Sequence, residues 1–346
     1  MKRPVLATLL LVLPAIVLGC DADTPRRAST LVENARVAMG SELRLTAEGA
    51  DEASALAAFD AVFREFDRLE SLMSVWREGS DIARLNGAAG DHPIAISPEV
   101  HEVLQIARQV SEETGGVFDI TFGALTGLWK FDHDQDNVVP DQDLVRRRLP
   151  LVNHRDLVLD PTAGTAFLRR TGMRVNLGGI GKGYAVDRAA VMLRERGLRD
   201  FMIQAGGDLY VAGQRGNRPW RLGIRDPRGP ADKSFATIEL SDGTLSTSGD
   251  YERYFISDGR RYHHILDLRS GEPARLCRSV TIVTSKAVLA DALAKAVFIL
   301  GPTAGLELIE RLPAVEGVIV SAQNQIVVSS GLKGRLALVA PPTDAP

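Results

Sequence analysis

The segment Asn176-Leu177-Gly178-Gly179-Ile180-Gly181-Lys182-Gly183-Tyr184-Ala185-Val186-Asp187 constrains the fold of this chain more than any other. Glycines and one lysine lie between a strand-like run and a helix, so the backbone must turn sharply and allow another group to come close. The first N–H groups of a helix have no intrahelical partner and can face an anion. Lys182 adds a point charge. The pattern is neither G-x-G-x-x-G nor G-x-x-x-x-G-K-[ST]. Taken alone it fits a phosphate-type ligand and an ordinary Gly-rich turn equally well.

The N-terminus reads as an export signal. Lys2 and Arg3 precede a mostly apolar run, Val5 to Leu18, shorter than the roughly 20 residues that span a bilayer. The run ends Val17-Leu18-Gly19-Cys20, which resembles the lipobox of bacterial lipoproteins. The resemblance implies a signal peptide over 1–19, a lipid on Cys20, a polar tether over 20–32 and one domain over 33–340. Asp21 resembles the signal that retains such proteins in the inner membrane, which places the expected domain on the periplasmic face. The cysteines are Cys20 and Cys277 alone. With Cys20 lipidated no intramolecular disulfide forms, and the domain must stand on its core. Cys277 reads as a small buried residue. The formal net charge of −3 argues against nucleic acid as a partner.

Turn signals punctuate periodic segments along the rest of the chain. Arg36 to Ala47 is strand-like. Asp51 can cap a long helix whose Leu56, Phe59, Phe63, Phe66, Leu69 and Met73 recur at helical spacing. Ser97-Pro98 opens a second helix closed by Gly115-Gly116. A third helix follows the glycine-rich segment and ends near Gly197. Phe201 to Val211 is strand-like, as are Thr237 to Leu240, Tyr251 to Ser257, Arg261 to Leu268 and Ser279 to Thr284. Asp242-Gly243, Asp258-Gly259 and Gln323-Asn324 read as hairpin turns. Lys286 to Leu300 and Ala304 to Arg311 are helical. Helices and hairpins mix without βαβ alternation, which predicts an α+β fold of largely antiparallel sheets with packed helices.

Several blocks are richer in polar and glycine residues than packing needs. They are Ser74-Val75-Trp76 with Ser80 to Asn86, Gly116 to Thr121, Gln204 to Asp208, Ser246 to Tyr251, His263 to Asp267, and Ala290 to Ala294. In this order and spacing, from Met39 to about residue 330, they resemble the ApbE family, the FAD:protein FMN transferases, with a T-fold-related architecture. The resemblance implies transfer of the FMN half of FAD to a threonine or serine hydroxyl with release of AMP. It implies that the acceptor is a flavin subunit of a membrane redox complex. It assigns FAD contacts to Met39, Trp76, Val117, Phe118, Asp119, Asn176, Lys182, His264 and Ile265.

His264 is the general-base candidate for the acceptor hydroxyl, because an imidazole titrates near neutrality. Lys182 and the surrounding N–H groups suit the charge on a pyrophosphate. By alternation His263 faces away from His264. The resemblance also implies Mg²⁺, held by the Gly179 carbonyl and by the Asp and Thr of an Asp-Ala-Leu-Ala-Thr pattern. Here that pattern reads Asp291-Ala292-Leu293-Ala294-Lys295. Lysine offers no oxygen to an ion that wants near-octahedral oxygen ligands. Residues 291 and 295 share a helix face and can pair, so either Lys295 takes over part of the metal's role or it turns aside. A weakened Mg²⁺ site is expected. An FAD-binding lipoprotein without transfer and an FAD pyrophosphatase are the alternative functions. Asp132 to Asn137 only mimics the start of an EF-hand loop and reads as an acidic surface loop. Arg146-Arg147-Arg148 reads as a solvated helix face.

Overall fold

The computed structural model describes residues 30–132 and 134–345. The signal peptide, Cys20 and all but the last residues of the tether lie outside them. Eight antiparallel strands form the main sheet: β1 (Leu31–Ala38), β2 (Ser41–Glu48), β3 (Phe201–Ala205), β4 (Asp208–Ala212), β5 (Gly243–Gly249), β6 (Cys277–Thr284), β7 (Glu316–Ser321) and β8 (Ile326–Val328). Their spatial order equals their chain order, so the sheet is a meander. The helices and the 254–263 hairpin are insertions between its strands.

Helices α1 (Glu52–Met73), α2 (Pro98–Glu113) and α3 (Gly181–Glu195) lie between β2 and β3, and α4 (Ala287–Arg311) joins β6 to β7. Period-two alternation sorts each central strand onto two cores. Val280, Ile282 and Ile319 join the helix-covered core. Leu245, Val283, Val318 and Val320 join a second core beneath a three-stranded sheet of Trp220–Arg225, Ser234–Leu240 and Leu336–Leu338. Strand β6 is buried on both faces from Cys277 to Val283, its Arg278, Ser279 and Thr281 included.

The sequence signals for α1 and α2 hold. The Asp51 side chain accepts from the Ser54 N–H at 3.0 Å, and Ser97 caps α2 ahead of Pro98. Helix α4 is apolar nearly all round, as a buried helix must be. It kinks at Gly301 (φ 83°) ahead of Pro302, the two-helix reading of that stretch. The hairpins at Asp258-Gly259 and Gln323-Asn324 also form.

Three expectations need correcting. Arg36 to Ala47 is not one strand, because Met39 and Gly40 take positive φ and reverse the chain between β1 and β2. Phe201 to Val211 breaks in the same way at Gly206, whose φ is +60°. Asp242-Gly243 is a turn but not a hairpin turn, because Ser234–Leu240 pairs in the small sheet while β5 pairs in the main one. A third, small core of Leu125, Trp129, Phe255 and Leu266 lies apart from the others. There Trp129, Phe131, Phe255 and Tyr262 stack with ring centroids 5.3–5.9 Å apart.

Candidate functional site

Helices α3 and α4 meet through each other's N-termini. The Gly183 N–H donates to Asp291 Oδ2 at 3.1 Å. In return the Asp187 carboxylate accepts from the Ala287 and Val288 N–H groups at 2.9 and 3.0 Å, capping α4 from outside. This reciprocal cap requires close approach. A Cβ on Gly183 would lie 2.3 Å from the Ala287 carbonyl oxygen. Gly183 is therefore a packing glycine rather than part of a ligand cradle. Asn176 has a local role too: its side-chain oxygen accepts from the Gly178 N–H at 2.8 Å, shaping the turn into α3.

Two lysine–aspartate pairs line the start of α3. Lys182 Nζ lies 3.2 Å from Asp208 Oδ2. Asp208 opens β4, and its other oxygen accepts from the Ser246 hydroxyl on β5. The second pair is Lys295 Nζ to Asp291 Oδ1. Asp208 raises the Lys182 ammonium above its ordinary value against the pull of burial, and Asp291 adds to that rise. Burial pushes the Asp291 carboxyl up, but Lys295 and Lys182 outweigh it and hold Asp291 below the usual carboxylate range. Lys182 and Asp291 are thus both charged near neutrality. A Cβ built on Gly179 would touch Phe118 at 3.4 Å and the Lys295 stem at 4.0 Å. Gly179, Asp291 and Lys295 therefore converge, as the sequence motif implied.

Lys295 does not turn aside. Its ammonium holds Asp291, and Asp291 is fully buried with Gly183 and Lys295 on its two oxygens. Magnesium does not fit this donor set. It would have to displace an ammonium while offered one carboxylate and a backbone carbonyl. Among the described residues no group of three or more His, Cys, Asp or Glu could hold a metal ion.

The opposite bank is the 254–263 hairpin and the residues that follow it. The small aromatic core anchors the hairpin, and the Trp129 indole N–H donates to the Gly271 carbonyl at 2.8 Å. His263 points inward. Its Nε2 bonds the Ala274 carbonyl at 2.7 Å, and its Nδ1 accepts from the Ile265 N–H at 3.3 Å. His264 is partly exposed, and its Nδ1 lies 3.3 Å from the Arg253 carbonyl oxygen. A carbonyl only accepts, so the proton belongs on Nδ1 and the Nε2 lone pair stays available. Burial, with His263, Arg253 and Lys295 beside it, pushes this imidazole down to about 3. His264 is a neutral base at any ordinary pH.

The remaining expected residues divide by what their side chains already do. Trp76 is 52% exposed on the loop after α1. Glu70 ties that loop to the β1–β2 turn, accepting from the Met39 N–H at 3.2 Å and pairing with Arg77 at 3.3 Å. The Arg253 guanidinium approaches Gly40 of the same turn and pairs with Asp132. Met39, Trp76 and Arg253 thus form one rim. Val117 is half-buried beside Phe118.

Asp119 and Ile265 do not present free side chains. The Asp119 carboxylate is buried and accepts from Thr121 and from the His154 N–H. Ile265 packs in the main core. Only their backbones remain to meet a ligand. Asp187, Asp208 and Arg253 were not singled out from the sequence. Asp187 closes the glycine-rich segment and Asp208 closes the Gln204 to Asp208 block, whereas Arg253 had no such signal. Asp267 and Arg269 shape their turn as expected, Arg146 to Arg148 are exposed, and Cys277 is buried with its thiol pushed up to about 12 by desolvation and Asp250.

The ApbE family model matches residues 39–319. An FAD:protein FMN transferase of Klebsiella pneumoniae (strain 342) is 33% identical over 295 residues, covering 85% of this chain and 90% of the relative. One of Treponema pallidum (strain Nichols) is 31% identical over 298 residues, covering 82% of each. Among solved structures, the ApbE protein of Thermotoga maritima superposes with a TM-score of 0.82 at 31% identity, covering 88% of this chain and 99% of that one. The flavin transferase ApbE of Vibrio cholerae gives 0.79 at 26% identity, covering 89% and 99%.

Proposed function

The chain belongs to the ApbE family, and from that premise we propose that it is an FAD:protein FMN transferase. One observation carries the reading. A neutral imidazole with an available Nε2 faces a wall built from a helix N-terminus and lysine ammonium groups. The first supplies a base for a hydroxyl, and the second supplies fixed positive charge for a phosphoanhydride.

The hydroxyl of an acceptor threonine or serine gives its proton to His264 Nε2 as its oxygen attacks the FMN phosphorus of FAD. A new phosphoester bond forms and the bond to the bridging oxygen breaks. AMP leaves with that oxygen, and the proton passes from His264 to AMP or water. The Lys182 ammonium neutralises the non-bridging oxygens. Asp208 positions Lys182, and the Arg253 carbonyl orients His264. Trp76 offers an aromatic face at the rim for a flavin or purine ring. No step is assigned to magnesium.

We further propose that Cys20 carries lipid, that the domain works at the periplasmic face of an inner membrane, and that its acceptor is a subunit of a membrane redox complex. The lipobox-like residues before Cys20 support this. The experiment is incubation of the protein with FAD and an acceptor bearing an accessible Ser/Thr target, followed by acceptor mass, AMP and free FMN. Acceptor gaining one FMN, with equal AMP, is expected. AMP and free FMN without labelled acceptor would point to a pyrophosphatase, and bound FAD without products to a flavin carrier.

A further inference from the structure

We infer that Lys295 is a built-in counter-cation: its ammonium stands where a divalent ion would, so the chain binds the FAD pyrophosphate without a metal. The inference rests on FAD being the ligand of this wall.

From Ala287 to Leu300, α4 carries two charged residues, Asp291 and Lys295, in an otherwise apolar stretch. They sit four apart and therefore share a face. That face meets the start of α3, because Asp187 caps α4 and Asp291 accepts from Gly183. The Lys295 side chain is only 17% exposed, and its stem passes the Gly179 position. A long cationic side chain is rarely buried in this way unless its head group has a partner.

Asp208 and Asp291 are buried carboxylates, matched one for one by Lys182 and Lys295. With an uncharged residue at 295, Asp291 would be a buried anion in need of a cation, and a divalent ion would answer that need. Here the need is already met. An incoming metal would face two ammonium groups and would have to unseat one. An ammonium also has three N–H donors. Asp291 uses one, which leaves Lys295 able to bond phosphate oxygens beside Lys182. In a water-poor wall such charge-assisted bonds are strong. Lys295 thereby becomes a positioning group for the pyrophosphate as well as a partner for Asp291.

The test separates metal from flavin. Water-proton relaxation with Mn²⁺ and no FAD reads the cation site directly. Wild-type protein should give no specific Mn²⁺ site, and Lys295→Thr should gain one. FAD affinity, followed by flavin fluorescence, should be the same for wild type in EDTA and in Mg²⁺. In Lys295→Thr it should fall by about tenfold or more in EDTA, the loss of one charge-assisted contact, and recover with Mg²⁺. Lys295→Gln keeps a donor for Asp291 and serves if the threonine variant folds poorly. It should bind FAD more weakly than wild type in EDTA. A specific Mn²⁺ site in wild type, or FAD binding that EDTA abolishes and Mg²⁺ restores, overturns the inference. Metal-free FAD binding without transfer to any acceptor leaves it standing and refutes the transferase reading instead. Absence of FAD binding under every condition refutes both.

Discussion

The two banks of the site are built in opposite ways. The α3–α4 wall grows out of the main core, and its charged groups are buried, paired and capped. The His264 bank hangs on a small aromatic core, and the rim near it, with Trp76, Met39 and Arg253, is largely open to solvent. The difference matches two demands. Charge on a pyrophosphate is the same in every turnover, and a preorganised wall needs no rearrangement to meet it. An acceptor hydroxyl arrives on another protein, so the base that receives it must stand where a protein can reach.

Removing the base separates the two banks most sharply. His264→Ala should lower transfer by about 10²–10⁴-fold while leaving FAD affinity nearly intact, as single-turnover acceptor labelling and flavin fluorescence will report. If FAD affinity falls as far as transfer, His264 belongs to the binding wall and the two banks are not separate.

The wall is next. Gly183→Ala places a methyl 2.3 Å from the Ala287 carbonyl oxygen, where backbone must move. Overpacking of this kind costs about 1–3 kcal/mol. Thermal unfolding should move down and FAD affinity should fall with it. An unchanged melting temperature would show that α3 and α4 are not bolted at this point.

The rim should respond differently. Trp76→Ala removes a ring that is 52% exposed, so the melting temperature should move less than in Gly183→Ala. FAD binding should weaken by the roughly 0.5–1.5 kcal/mol of an aromatic stack, measured as the ratio of dissociation constants at matched melting temperature. The smallest expected change is with pH. An imidazole depressed to about 3 stays neutral as pH falls through the ordinary histidine value of about 6.5. The base form therefore persists, and kcat/KM should be flat from neutrality to well below that value. A limb near the ordinary value would mean that His264 is more solvated than its neighbours imply.

Much of this was legible in the sequence. The i, i+4 spacing of Asp291 and Lys295 announced their pairing, and the stripe from Leu56 to Met73 announced α1. Alternation separated His263 from His264. Other features were hidden for physical reasons. Met39 turns the chain with a positive φ that a methionine rarely adopts, so no local signal divided β1 from β2. Asp242-Gly243 is a good turn pair, but which sheet its flanking strands join is decided by packing over distance. Asp187 looked like one more polar residue of a helix face. Its task is at the start of another helix 100 residues on, which periodicity cannot see. The glycines invited a single explanation as a phosphate cradle, whereas Gly183 answers to helix packing.

The exchange of caps between α3 and α4 has a consequence for cooperativity. Each helix begins on a carboxylate that the other supplies, so neither start is complete while the other is undone. The amides of Gly183, Ala287 and Val288 should therefore exchange with solvent together, at the rate of a single opening event. The ligand wall then has no half-assembled form: it is lost and regained as one unit, ahead of any flavin.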